Sequence, residues 1–264
     1  MKINNRWRII LLATFFNLVW EYASRGLRGI FSPVFLPFLL FGFYFTLYSM
    51  LEDLIVRFKL KNYQLVLATF LYGLFPMAFG SGDLFVNPQF LGINWINLFY
   101  IGFLWWGILQ AIFTFYFANR LVQRDWQHPR MSKLGWGLAI GYNVAVFSSF
   151  QFLKPHLNKP TLVSYFVLGL ITVTTAVFLQ QVIKKNRKRK PWSFKSSPVL
   201  DFLTFVSFIL FLSLGTFLSS RQPLVSVSSS FFNPTVIKIS NIWTLSYSTI
   251  FLLYRWRSGK EVTI

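Results

Sequence analysis

Apolar residues gather along this chain in eight runs, and charge concentrates in the connections between them. The runs are Trp7–Ser24, Pro33–Leu51, Tyr63–Gly80, Trp95–Ala118, Leu134–Leu153, Leu162–Ile183, Pro198–Leu218 and Ile239–Tyr254. Crossing a hydrocarbon core takes roughly 20 mostly apolar residues, and a backbone there must satisfy its own hydrogen bonds, so each run predicts a helix. The expected fold is an all-α, polytopic integral membrane helix bundle of about eight transmembrane helices, forming one transmembrane domain over residues 1–264.

The basic residues predict an orientation, because connections rich in Lys and Arg stay cytoplasmic. On the N-terminal side of an eight-span arrangement fall Lys2, Arg6 and Arg8, then Arg57, Lys59 and Lys61, then Arg120, Arg124, Arg130 and Lys133. The same side takes Lys184, Lys185, Arg187, Lys188, Arg189, Lys190 and Lys195, and finally Arg255, Arg257 and Lys260. The opposite side holds Arg25 and Arg28, Lys154 and Lys159, and Arg221 and Lys238, with none between the third and fourth runs. Every segment of the first set is richer than every segment of the second. A miscounted span would spoil that alternation, so both termini are expected in the cytoplasm and the chain in the plasma (inner) membrane.

Composition narrows the chemistry. The 264 residues are 55% hydrophobic and 12% charged, with a mean hydropathy of +0.52, which leaves no room for a long soluble domain. Aromatic residues make up 20% of the chain and suit helix packing and interfacial belts. Cysteine is absent, which excludes disulfides, thiolate metal sites, iron–sulfur clusters and cysteine nucleophiles. Met1–Arg8 followed by an apolar run resembles the start of a signal peptide, but Trp20-Glu21-Tyr22-Ala23-Ser24 lacks the small residues of a cleavage site, so a retained first span is expected.

Two connections on the outer side, Ser81–Asn94 and Ser219–Lys238, mix turn formers with Leu, Val and Phe. They are read as interfacial short helices or hairpins, or else as a lid or re-entrant floor over an outward cavity. No internal repeat is found, so the inverted-repeat sign of many secondary transporters is missing. Lys184–Lys190 reads KKNRKRK. Beside a span this is first an orientation signal, and Lys184, Lys185, Arg187, Lys188, Arg189 and Lys190 could also dock anionic lipid headgroups or a partner. The net charge of +19 belongs largely to such loops and does not point to nucleic acid.

His128 and His156 fall on opposite sides of the expected bilayer and cannot share a metal, and no span carries a mid-membrane lysine for a retinal Schiff base. No cofactor is expected, although packing alone could hold a carotenoid, chlorophyll or lipid. Gly137, Gly141 and Ala145 recur every four residues and predict close approach of a neighbouring helix. Gly73 and Pro76 predict a kink.

Ionisable residues inside spans are costly, so they are the candidates for function. Asp201 near the start of the seventh span is explained by helix capping or a pair with Lys195. Glu52 and Asp53 are read as closing the second span at the inner surface. The first span is different. Thr14, Asn17, Glu21, Ser24 or Arg25, and Arg28 recur at steps of three and four and make one face polar, with Glu21 and Arg25 spaced for an ion pair. Asn17, Glu21, Arg25 and Arg28 thus form either the snorkelling end of a span or an outward-facing anion or headgroup site. Asn94, Asn97, Gln110, Asn143 and Gln151 could add neutral hydrogen bonds.

The function expected from these features is a non-enzymatic membrane component. It would be a permease-like or scaffold subunit that handles a lipidic or amphipathic ligand or packs with other membrane subunits, with membrane lipids, anionic ones included, as partners. The alternative is an enzyme acting on a lipid-linked substrate at the outer leaflet, with Glu21 as acid or base, Arg25 and Arg28 on a phosphate, and Asp83 joining them. An ion-coupled secondary transporter is disfavoured because central carboxylates are lacking.

Overall fold

The computed structural model describes residues 4–31, 34–127, 131–153, 160–185, 197–221 and 234–258. Among these residues the backbone forms eight long helices: α1 (Asn5–Ile30), α2 (Leu36–Phe58), α3 (Asn62–Gly80), α4 (Trp95–Leu121), α5 (Lys133–Leu153), α6 (Leu162–Lys184), α7 (Pro198–Leu218) and α8 (Pro234–Ser258). Each falls on one of the apolar runs, with α2 beginning three residues inside its run. Five of them, α2, α3, α4, α6 and α7, are long and apolar enough to cross a membrane, the makeup of a helical integral membrane protein. The others are diluted by polar residues: α1 by its arginines and Glu21, α5 by Gly, Asn and Ser, and α8 by Ser, Thr and basic residues.

Local chemistry sets the helix ends. The Asn4 side chain accepts from Arg6 N at 3.2 Å to open α1. Thr161 and Ser164 exchange hydrogen bonds at the start of α6, with Ser164 N donating to Thr161 Oγ1 at 3.2 Å and Thr161 N donating to Ser164 Oγ at 3.1 Å. Proline lacks an amide donor, and at Pro76 the ladder of α3 widens into a π turn, Pro76–Gly80, closed by Ser81 N on Pro76 O at 2.9 Å. The middle of α4, Leu98–Phe113, is π-helical as well.

The chain divides into two compact units, and α2 and α4 contribute residues to both. One unit comprises the described residues of Met1–Tyr48, Phe113–Asp125 and Phe194–Val262. Here α1 packs against the end of α4 and against α7 through aromatic edges. Trp20 meets Phe211 with ring centroids 3.8 Å apart, Phe16 meets Phe117 at 4.1 Å, and Phe113 meets Tyr247 of α8 at 4.5 Å. The regular course of α1 breaks at Gly26 (φ 67°, ψ 178°). Two serines after α7 take up backbone groups beside the break: Ser219 Oγ donates to Ala23 O at 2.6 Å, and Leu27 N donates to Ser220 Oγ at 2.9 Å. Residues 222–233 of the second outer connection lie outside the described residues.

The other unit comprises the described residues of Ser49–Ile112 and Trp126–Ser193. Gln64 Nε2 donates to Val182 O at 3.0 Å, joining the start of α3 to the end of α6. Bulky side chains of α3 and α4 lie over glycines of the opposite helix, Trp106 over Gly73 and Phe70 over Gly102. The connection from α3 to α4 is folded and held by asparagines: Asn94 Nδ2 donates to Val86 O at 2.9 Å and Asn97 Nδ2 to Asp83 O at 2.8 Å.

The expected packing of Gly137 and Gly141 against a neighbouring helix is not found. A Cβ at either would meet nothing within 4 Å, and both glycines and Ala145 are exposed. The periodicity permits a close approach, but no helix among the described residues takes it. The second span also ends differently from expectation. α2 continues to Phe58, and Glu52 and Asp53 are buried within it rather than closing it at a surface.

Candidate functional site

The polar stripe of α1 is buried along most of its length. Thr14 and Asn17 are completely enclosed, and Thr14 Oγ1 donates back to Ile10 O at 2.8 Å. Opposite the stripe, α2 presents Tyr44 and Tyr48 one turn apart, in antiparallel register with Asn17 and Glu21. Asn17 Nδ2 donates to Ala13 O at 3.1 Å, to Thr114 Oγ1 at 3.2 Å and to the Tyr48 hydroxyl.

One turn along α1, Glu21 Oε1 accepts from the Tyr44 hydroxyl at 2.5 Å and Glu21 Oε2 from Arg25 Nε at 2.8 Å. The Arg25 and Glu21 side chains are 11% and 17% exposed, so this ion pair sits mostly out of solvent. Arg28 does not share the stripe. The break at Gly26 comes between it and Arg25, and its side chain is exposed. Three residues of the expected site, Asn17, Glu21 and Arg25, therefore share one face, and α2 adds two tyrosines. Each carboxylate oxygen of Glu21 accepts one donor, which fixes the side chain between α1 and α2.

Asp201, Asp53 and Asp83 also accept named donors. Asp201 Oδ1 accepts from Tyr116 OH at 2.6 Å and Arg120 Nε at 2.8 Å, while Oδ2 accepts from Arg120 Nη2 at 2.8 Å. That bidentate pair replaces the helix cap expected of Asp201, and Lys195 lies outside the described residues. Asp53 Oδ1 accepts from Met131 N at 2.7 Å, and its Oδ2 accepts from Trp136 Nε1 at 3.0 Å and pairs with Arg57 Nη2 at 2.7 Å. These contacts explain why α2 tolerates a carboxylate in its buried part. Asp83 accepts from Ser81 Oγ at 2.5 Å within its own connection.

Of the neutral candidates, Asn94 and Asn97 brace the α3–α4 connection, and Gln110 is buried in α4. Asn143 Oδ1 accepts from Tyr72 OH at 2.5 Å. The side chain of Gln151 lies outside the described residues. Lys184 and Lys185 are exposed at the end of α6, whereas Arg187, Lys188, Arg189, Lys190 and both histidines lie outside the described residues. Among the described residues no group of three His, Cys, Asp or Glu side chains could hold a metal ion. A narrow aromatic niche lined by Phe16, Trp20, Phe113, Thr114, Phe117, Thr204 and Phe208 is about the size of a water molecule.

No protein-family model matches the chain, and comparison with curated proteins and with solved structures finds no match.

Proposed function

We propose that the chain is a non-catalytic membrane subunit, a scaffold or permease-like component whose apolar helix faces hold lipid or other membrane subunits. The observation that carries this reading is α6. It is the most apolar of the five helices long and apolar enough to cross a membrane, yet only 17% of its apolar stretch is buried among the described residues. A helix apolar on all sides and so little covered requires lipid or a partner around it. The course of α1 supports the same reading, since an enzyme site built on Glu21 with Arg25 and Arg28 on one phosphate needs the two arginines on one face. Glu21 is already engaged by Tyr44 and Arg25, and Arg28 stands apart from both.

The test is to place a photoreactive amino acid at Phe166 or Val173, both exposed on α6, in the full chain in its native membrane. The expected result is a reproducible adduct with one membrane protein or one lipid class, recovered with the purified chain. Monodisperse chain with adducts scattered over bulk lipid would end this reading.

The proposed arrangement in the plasma membrane has eight spans, including α1, α5 and α8, with both termini cytoplasmic. It rests on the alternation of basic residues. Reporters fused after Lys133 and Lys190 are expected to read cytoplasm, and those after Asp83 and Lys159 the outer side. If Lys159 and Lys190 fall on one side, α6 does not cross and the count is wrong.

A further inference from the structure

Residues 84–99 read LFVNPQFLGINWINLF and contain no Lys, Arg, His, Asp or Glu. They fold back on themselves where α3 ends and α4 and α6 begin. Leu84 and Ile93 are fully buried beneath the turn, while Phe90, Leu91 and Ile96 are 68%, 53% and 58% exposed. Phe90 N donates to Ile93 O at 2.9 Å and Ile93 N to Phe90 O at 3.2 Å, so Leu91 and Gly92 form the tip of a two-residue turn. Both have positive φ, 51° and 72°. Turns of this kind favour Asn-Gly or Asp-Gly, because short polar side chains tolerate the left-handed region and suit water. Here the first tip position is a leucine, held in a backbone conformation unfavourable to it and with its side chain turned outward.

The tip is seated against the start of α6. Ser164 Oγ donates to Gly92 O at 2.8 Å, and a Cβ on Gly92 would lie 2.3 Å from Ser164 Oγ, so the turn rests directly on the first turn of α6. Phe90 and Leu91 are thus exposed on a turn seated at the start of α6, where Leu162, Val163 and Phe166 are exposed as well. Trp95 Nε1 also donates to Phe90 O at 2.9 Å and braces the turn. We infer that residues 86–96 are an interfacial anchor, whose Phe90–Leu91 tip enters the boundary of the bilayer beside α6 and fixes the depth of α4 and α6. The occupant of this surface is lipid, bound through apolar contact. With no basic residue in the segment, insertion does not depend on anionic headgroups.

Absence of cysteine makes the test direct, since a single introduced thiol is the sole labelling site. Phe90→Cys, Leu91→Cys, Ile96→Cys and, on α6, Phe166→Cys are each labelled with an environment-sensitive fluorophore. The labelled full chains are reconstituted into phosphatidylcholine vesicles with and without phosphatidylglycerol. Labels at 90, 91 and 96 are expected to show blue-shifted emission, quenching by a shallow nitroxide lipid and little quenching by iodide, equally in both vesicles. Full iodide quenching at 90 and 91, with lipid quenching retained at 166, overturns the anchor while leaving the membrane reading of α6 intact. Protection from both quenchers means that protein covers the tip, and a requirement for phosphatidylglycerol means that charge drives insertion; either overturns the inference. The three mutated anchor positions are all exposed, so a variant that fails to fold is replaced by its neighbour.

Discussion

Gly26→Ala is expected to destabilise the protein by about 3–5 kcal/mol, combining strain in a region of φ and ψ that is essentially glycine-only with forced overpacking. Gly26 has φ 67° and ψ 178°, and an added Cβ would lie 2.5 Å from Ser220 N and 2.6 Å from Ser219 C. Those neighbours are backbone atoms, so no side-chain rotation relieves the contact. A shift of Ser219 and Ser220 would also strip Ala23 O and Leu27 N of their partners, at about 1 kcal/mol for each lost hydrogen bond. The control is Gly137→Ala, where a Cβ meets nothing within 4 Å. Alanine there is expected to be neutral or to stabilise by up to about 1 kcal/mol through helix propensity. Unfolding of both variants in the same detergent decides the matter. Equal loss at the two positions would show that the Gly26 break is not a structural requirement.

The contrast between those glycines shows what the sequence carries and what it does not. Hydropathy placed a helix over each of the eight runs, because burial of a long apolar segment is a local property that needs no knowledge of neighbours. Length and apolarity together qualify five of the eight, since polar residues dilute α1, α5 and α8. The Glu21–Arg25 pair was legible from its spacing along one helix. Its third member was not: Tyr44 is one of 11 tyrosines, and nothing local distinguishes it from one that merely packs. Asp53 was misread for a related reason. Charge at the end of an apolar run looks like the end of a span, but its partners Met131 and Trp136 lie 78 and 83 residues along the chain. The Gly137–Gly141–Ala145 periodicity misled in the opposite direction, because small residues state that a close approach is allowed and not which helix makes it. Gly26 had no sequence signal, since its necessity comes from Ser219 and Ser220 at the far end of another helix.

Glu21→Gln is expected to cost about 2–4 kcal/mol, well above the roughly 0–1 kcal/mol of an exposed ion pair, because it removes the charge that Glu21 supplies to the mostly buried guanidinium of Arg25. Tyr44→Phe removes one hydrogen bond to a carboxylate that keeps Arg25, and about 1–2 kcal/mol is expected. The two changes share one side chain, so the double variant should lose less than the sum of the singles. Exchanging the charges, Glu21→Arg with Arg25→Glu, restores the spacing of four but moves the carboxylate one turn along α1, away from the Tyr44 hydroxyl. Rescue is therefore expected to be partial, and adding Tyr44→Phe to the exchanged pair should cost almost nothing further. This pattern separates a three-member buried cluster from the snorkelling end of a span. At a snorkelling end both residues find headgroups independently, Glu21→Gln unfolds at the wild-type temperature, and the exchange is silent. A wild-type melting curve for Glu21→Gln would thus remove the stripe from the candidate sites and leave the uncovered face of α6 to carry the function.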